Sequence, residues 1–209
     1  MPEIKNILLN QICSLLKEIG FDGKIKNQSI VIKFNKGLKA IHFAFLKYNE
    51  KLYTAISVMI RFDEVEQLIH FDNPHLKNEK IISYTLGTDI GNLKKRMSVK
   101  WDISNEFLVT QHIPEILADI KEYAFPYLEK YSSLEKAAKE FYIENDFSKC
   151  LTLFPHERAL RAVAFAYILQ GNEFAKKIFN QKLEFLKGIN THQNDINRVI
   201  EIVKKNILL

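Results

Sequence analysis

Apolar residues in this chain follow three successive rhythms. From Ile4 to Ile19 they recur at steps of three and four (Ile4, Ile7, Leu8, Ile12, Leu15, Leu16, Ile19), the stripe of an amphipathic helix. Pro2 suits its first turn, and Gly20 suits the left-handed position after its last. The period then drops to two. Ile30, Ile32 and Phe34 share a face, as do Ile41, Phe43 and Phe45, then Ile56, Val58, Ile60 and Phe62. Tyr53, Ala55, Ser57 and Arg61 point the other way, and Thr54, on the apolar side but near its strand's start, is expected to be less sensitive to substitution than Val58. The spacing predicts strands over 29–35, 39–48 and 52–62, with tight turns at Lys36-Gly37 and Asn49-Glu50-Lys51.

Residues 63–79 are polar and contain Asn73-Pro74, which predicts loop with one helical turn at 64–68. Two further strands are expected at 81–86 and 97–103, with the glycine-bearing stretch 87–95 as a loop. From Phe107 the helical period returns. Pro114 is acceptable in a first turn, Pro126 should end or kink that helix, and Ser133 should start the next. Helices are predicted over 157–170, 173–187 and 193–207, broken at Gly171-Asn172 and Gly188. Asn145-Asp146-Phe147 and Asn172-Glu173-Phe174 look alike, but their spacing does not fit a helical repeat array.

The expected fold is α+β: an antiparallel sheet of about five strands with helices on one face, followed by a C-terminal helical bundle or helical hairpins. Residues 1–143 would form the α+β domain. Residues 144–209 would form a helical extension packed on it, because no Pro/Gly/Ser-rich linker separates the two.

Four features, in this order, resemble the uncharacterised bacterial family called domain of unknown function 4304. They are Leu15-Leu16-Lys17-Glu18-Ile19-Gly20-Phe21, the strand pair 41–48 and 53–60, Trp101-Asp102-Ile103, and the helix ending Phe125-Pro126-Tyr127-Leu128. The resemblance covers about residues 1–143 and implies a helix leading into a sheet, a tryptophan strand and a closing helix. It implies no established reaction. The second strand ends Phe45-Leu46-Lys47-Tyr48, where the family pattern would place a polar cluster.

Composition narrows the function classes. The net charge is +5, with lysines dispersed among acids, which reads first as a solvated surface. Cys13 and Cys150 are far apart and lack metal-ligand spacing, so reduced thiols in a bacterial cytoplasmic protein are expected. No signal peptide or membrane span is expected. No nucleophile elbow or phosphate loop occurs. His70, Asp72 and His75 are the candidate metal ligands, although a polar surface loop explains them more readily. Lys94, Lys95, Arg96 and Lys100, beside Trp101, are the candidate nucleic-acid residues, but strand alternation would turn Trp101 inward and away from Arg96 and Lys100.

The function expected is a non-enzymatic protein-interaction module without a cofactor, of the immunity-type or antitoxin-like kind, with a protein partner and no membrane. A nucleic-acid-associated protein is the alternative, and an enzyme the third class.

Overall fold

The computed structural model describes residues 2–70, 83–96, 99–143 and 154–208. Helix α1, Pro2–Glu18, has Glu3 in its first turn and Lys17 in its last, both favourable to the helix dipole. It ends where Gly20 takes φ +88, and the Phe21 and Gly20 N–H groups bond back to the Leu16 and Lys17 carbonyls. Glycine adopts that conformation without strain.

Four strands follow: β1 Lys24–Lys26, β2 Ser29–Phe34, β3 Gly37–Tyr48 and β4 Lys51–Phe62. The β2–β3 turn is Asn35-Lys36, one residue earlier than expected, because Gly37 already pairs with Phe34. β5, Leu86–Asp89, and β6, Trp101–Asp102, both join β4. The sheet therefore has six strands in an α+β fold. β1, which the hydrophobic pattern does not predict, is three residues long and carries two lysines, so it has no apolar period. Its pairing with β2 defines it.

The expected strand 81–86 is corrected: described residues 83–85 lie outside any strand, and the strand begins at Leu86. The expected loop 87–95 instead holds most of β5 and the short helix α3, Ile90–Leu93, whose cap is Asp89 accepting the Asn92 N–H at 2.8 Å. Of the expected strand 97–103, Trp101 and Asp102 are the residues that pair among those described.

One continuous helical rod then runs through α4 Glu106–Asp119, a π-helical turn Ile120–Ala124 and α5 Phe125–Lys130. Pro114 lies inside α4, not in its first turn, and Pro126 does not end the helix. Both prolines sit on the exposed side, where water can serve a carbonyl that lacks its amide. In the π turn Phe125 N–H bonds to the Ile120 carbonyl. Buried Ile120, Ala124 and Leu128 advance in steps of four, which would drift sideways on an α-helix of 3.6 residues per turn. The wider turn absorbs that drift.

The remaining helices are α2 Asp63–Ile69, α6 Leu134–Tyr142, α7 Pro155–Gln170, α8 Asn172–Gly188 and α9 Gln193–Asn206. The chain divides into two compact units: Met1–Ile60 with Gly87–Lys130, and Arg61–Leu86 with Tyr131–Leu209. The division expected after Ile143 falls inside the second unit.

In the first unit the sheet has an inner, helix-covered face and an outer one. Ile30, Ile41, Phe43, Ile56, Val58 and Ile60 are buried on the inner face. Lys5 of α1 lies over the Phe45 ring at 5.0 Å. In the second unit α7 is the centre, packed by α2, α6, α8 and α9. It buries Ala159, Leu160, Ala162, Val163, Ala164, Phe165 and Ala166, and Phe165 meets Phe62 edge-on at 5.7 Å.

Candidate functional site

The basic stretch is not a uniform cationic strip. Lys94 Nζ donates to both Asp119 oxygens at 2.7 Å and lies 5.6 Å from the Tyr123 ring centre. Both members of that ion pair are largely buried, so Lys94 ties α3 to the rod and offers no free charge. Lys95, in a left-handed turn at φ +54, and Arg96 are exposed. Lys100 is exposed as well, with its Nζ 5.1 Å from the Tyr48 ring centre. Trp101 turns inward, 2% exposed, as strand alternation requires.

Strand pairing gathers a different basic surface. Residues paired across an antiparallel ladder share a face. Lys26 pairs with Ser29 and Ser29 with His42, while Lys24 pairs with Val31 and Lys33 with Leu38. All of these lie on the outer face. Tyr53 pairs with Asp102 there, and the Tyr48 ring meets Tyr53 at 5.9 Å. Tyr48 is 52% exposed. Val31, Leu38, Ala44, Leu46 and Met59 are partly exposed between the lysines. Asp102 is a carboxylate placed on this face. The Ser104 hydroxyl and amide donate to it at 2.5 and 3.0 Å, and Lys51 stands 3.6 Å away. The Ser104 hydroxyl bond, followed by the amide and Lys51, holds its carboxyl below the usual aspartate range against partial desolvation. Burial lowers the His42 imidazole. Its Nδ1 is 3.0 Å from Ser29 Oγ, so it acts as a neutral polar spacer.

His70 caps the end of α2, its Nε2 3.2 Å from Glu66 Oε2. Asp72 and His75 lie outside the described residues. No group of three His, Cys, Asp or Glu side chains able to hold a metal occurs among the described residues.

Glu66 belongs instead to a buried charge network that the sequence pattern did not reveal. Arg161 Nε and Nη2 reach its carboxylate at 3.0 and 3.2 Å. Nη2 also donates to the Tyr84 carbonyl at 3.2 Å, and Nη1 to Glu157 at 3.3 Å. Three residues earlier on α7, Arg158 is 1% exposed. Its Nη2 donates to the Glu140 and Ile143 carbonyls at the end of α6, and Tyr131 donates to the Glu140 carboxylate at 2.6 Å. Each arginine serves a neighbouring element, which gives the network a structural role. The available signal was α7 itself: a helix apolar all round is buried, so its charges must be paired.

Cys13 is buried and its thiol faces the Gly23 carbonyl at 3.5 Å. Cys150 lies outside the described residues. No helix among the described residues is long and apolar enough to cross a membrane. Comparison with protein-family models, curated proteins and solved structures finds no match for this chain.

Proposed function

We propose that this chain is a non-enzymatic interaction module that docks an acidic protein on the outer face of its sheet. The observation that supports this reading is the composition of that face. Lys24, Lys26, Lys33, Lys51 and Lys100 surround half-exposed apolar residues and the open Tyr48 ring, while Asp102 is already engaged. A tyrosine anchor ringed by like charge selects partners of opposite charge and speeds their encounter. The narrower form is an immunity-type or antitoxin-like protein whose target is acidic where it docks. The resemblance to domain of unknown function 4304 goes with this proposal and adds no reaction to it.

A second reading has its own observation. Lys100 lies over Tyr48 with Lys95 and Arg96 exposed nearby in sequence, and a cation beside an open aromatic ring is how single strands are gripped. Placing a photo-crosslinking amino acid at Tyr48 or Ala44 in the source cell separates the two. A discrete acidic protein adduct, abolished when Lys26 and Lys33 become Glu, is expected. Adducts to nucleic acid would transfer the assignment to the second reading. Equal labelling from Lys17, on α1, would remove both.

A further inference from the structure

We propose that the inner face carries a small binding site for a carboxylate with an apolar body. The site is a cleft of about 310 Å³, at the lower end of the range for small-molecule pockets. Ile32 and Phe34 line one side, Phe21 beyond α1 a second, and Phe125 and Leu128 of the rod a third. Phe21 and Phe125 stack at 5.5 Å with their planes 20° apart, giving the cleft a flat aromatic wall.

What defines the ligand is Lys39. It pairs with Ile32, so its side chain rises from the apolar face, beside the buried Ile30–Ile41 pair. Alternation calls for an apolar residue there. The ammonium sits 5.5 Å from the Phe34 ring centre, and Lys39 makes no ion pair among the described residues. Glu129 also lines the cleft but is exposed and is not bonded to Lys39. An ammonium rising from an apolar face beside an aromatic ring favours an anion carrying its own apolar surface. Lys33 lines the cleft as well but is exposed, so the half-buried Lys39 is the cation matched to a monovalent carboxylate. A phosphate dianion would call for an arginine fork or several donors. The volume admits a phenyl ring with a short arm.

The test titrates the full-length protein with phenylpropionate and with the neutral phenylpropanol, followed by amide NMR. The carboxylate should shift the Phe34, Lys39 and Phe125 signals saturably, and bind about five-fold tighter than the alcohol. Lys39→Gln should reduce the carboxylate to the alcohol's affinity. Lys39→Arg should keep the preference, and Lys187→Gln, on α8 and outside the cleft lining, should leave both ligands unchanged. No saturable shift by ~10 mM, equal binding of the two probes, or a preference that survives Lys39→Gln would each overturn the proposal. Should Lys39→Gln fail to fold, the wild-type comparison and Lys39→Arg decide.

Discussion

Arg161 holds Glu66 with two nitrogens, at 3.0 and 3.2 Å, although the two residues stand 95 positions apart in the chain. Both side chains are shut off from water. Removing one partner strands a buried charge and costs about 3–5 kcal/mol, whereas replacing both with apolar residues can be nearly neutral. Arg161→Met and Glu66→Met should therefore each lower the urea midpoint sharply, and the double variant should recover most of the stability. Strictly additive effects would show that the two residues are not coupled.

The same pair sets an acid limit. Burial alone would raise the Glu66 carboxyl, but the Arg161 charge, with His70 assisting, outweighs it and brings the value from 4.5 to about 2. The folded value lies below the unfolded one, so the stabilisation is complete above about pH 4.5. It fades as pH falls towards 2 and is absent below. Its full size is roughly 3 kcal/mol. Melting curves from pH 6 downwards should show a steep loss in this window for the wild type and a flatter one for Glu66→Gln.

Val58 is fully buried on the inner face. Val58→Asp should abolish stable folding, since it buries an unpaired carboxylate. Thr54, expected to be less sensitive, is equally buried, opposite Trp101. Its hydroxyl has no hydrogen-bond partner among the described residues. Thr54→Val should therefore raise stability by about 1 kcal/mol. A lowered melting temperature would mean that the hydroxyl is satisfied after all.

Lys94 confounds any test of the basic stretch that removes it together with its neighbours. Lys94→Ala leaves Asp119 buried without its counter-charge and should cost about 2 kcal/mol. Lys95→Ala and Arg96→Ala should be near neutral. Nucleic-acid affinity is better tested by replacing Lys95, Arg96 and Lys100. Removing a cation that truly neutralises a phosphate should flatten the salt dependence by ~0.7 log units per log unit of salt for a single strand. We expect weak binding and no such change; a flattened slope would favour the second reading.

A chain ending at Ile143 would lack α7, the helix that pairs Glu66, meets Phe62 and receives the end of α6 through Arg158. Such a chain should give poorly dispersed amide signals for residues 61–70. A spectrum that retains the full-length positions there would show that this part folds without α7.

The alternation of Ile56, Val58 and Ile60 was legible because a strand's side-chain period is fixed by its backbone, and so were the caps at Gly20 and Ser133. The lysine gathering on the outer face was not, since Lys26, Lys33 and Lys100 meet only through pairing. Nor was the burial of Lys94, whose partner Asp119 lies 25 residues on. Composition treats every lysine as solvated, and only the fold distinguishes the charge engaged in an ion pair from the charge left over. The prolines misled because a proline removes one helix hydrogen bond and crowds one carbonyl, a local cost that the helix bears at the exposed Pro114 and Pro126.

The π turn at Ile120–Ala124 holds one residue more than an α-helix would use. Everything after it is out of phase with the preceding helix by about 100°. Deleting a single residue there would give a more regular helix, yet swing Phe125 away from Phe21 and turn Leu128 off the sheet. Residue number through this segment is thus constrained more tightly than residue identity. The exposed Lys121 and Glu122 can be exchanged freely, but neither can be removed.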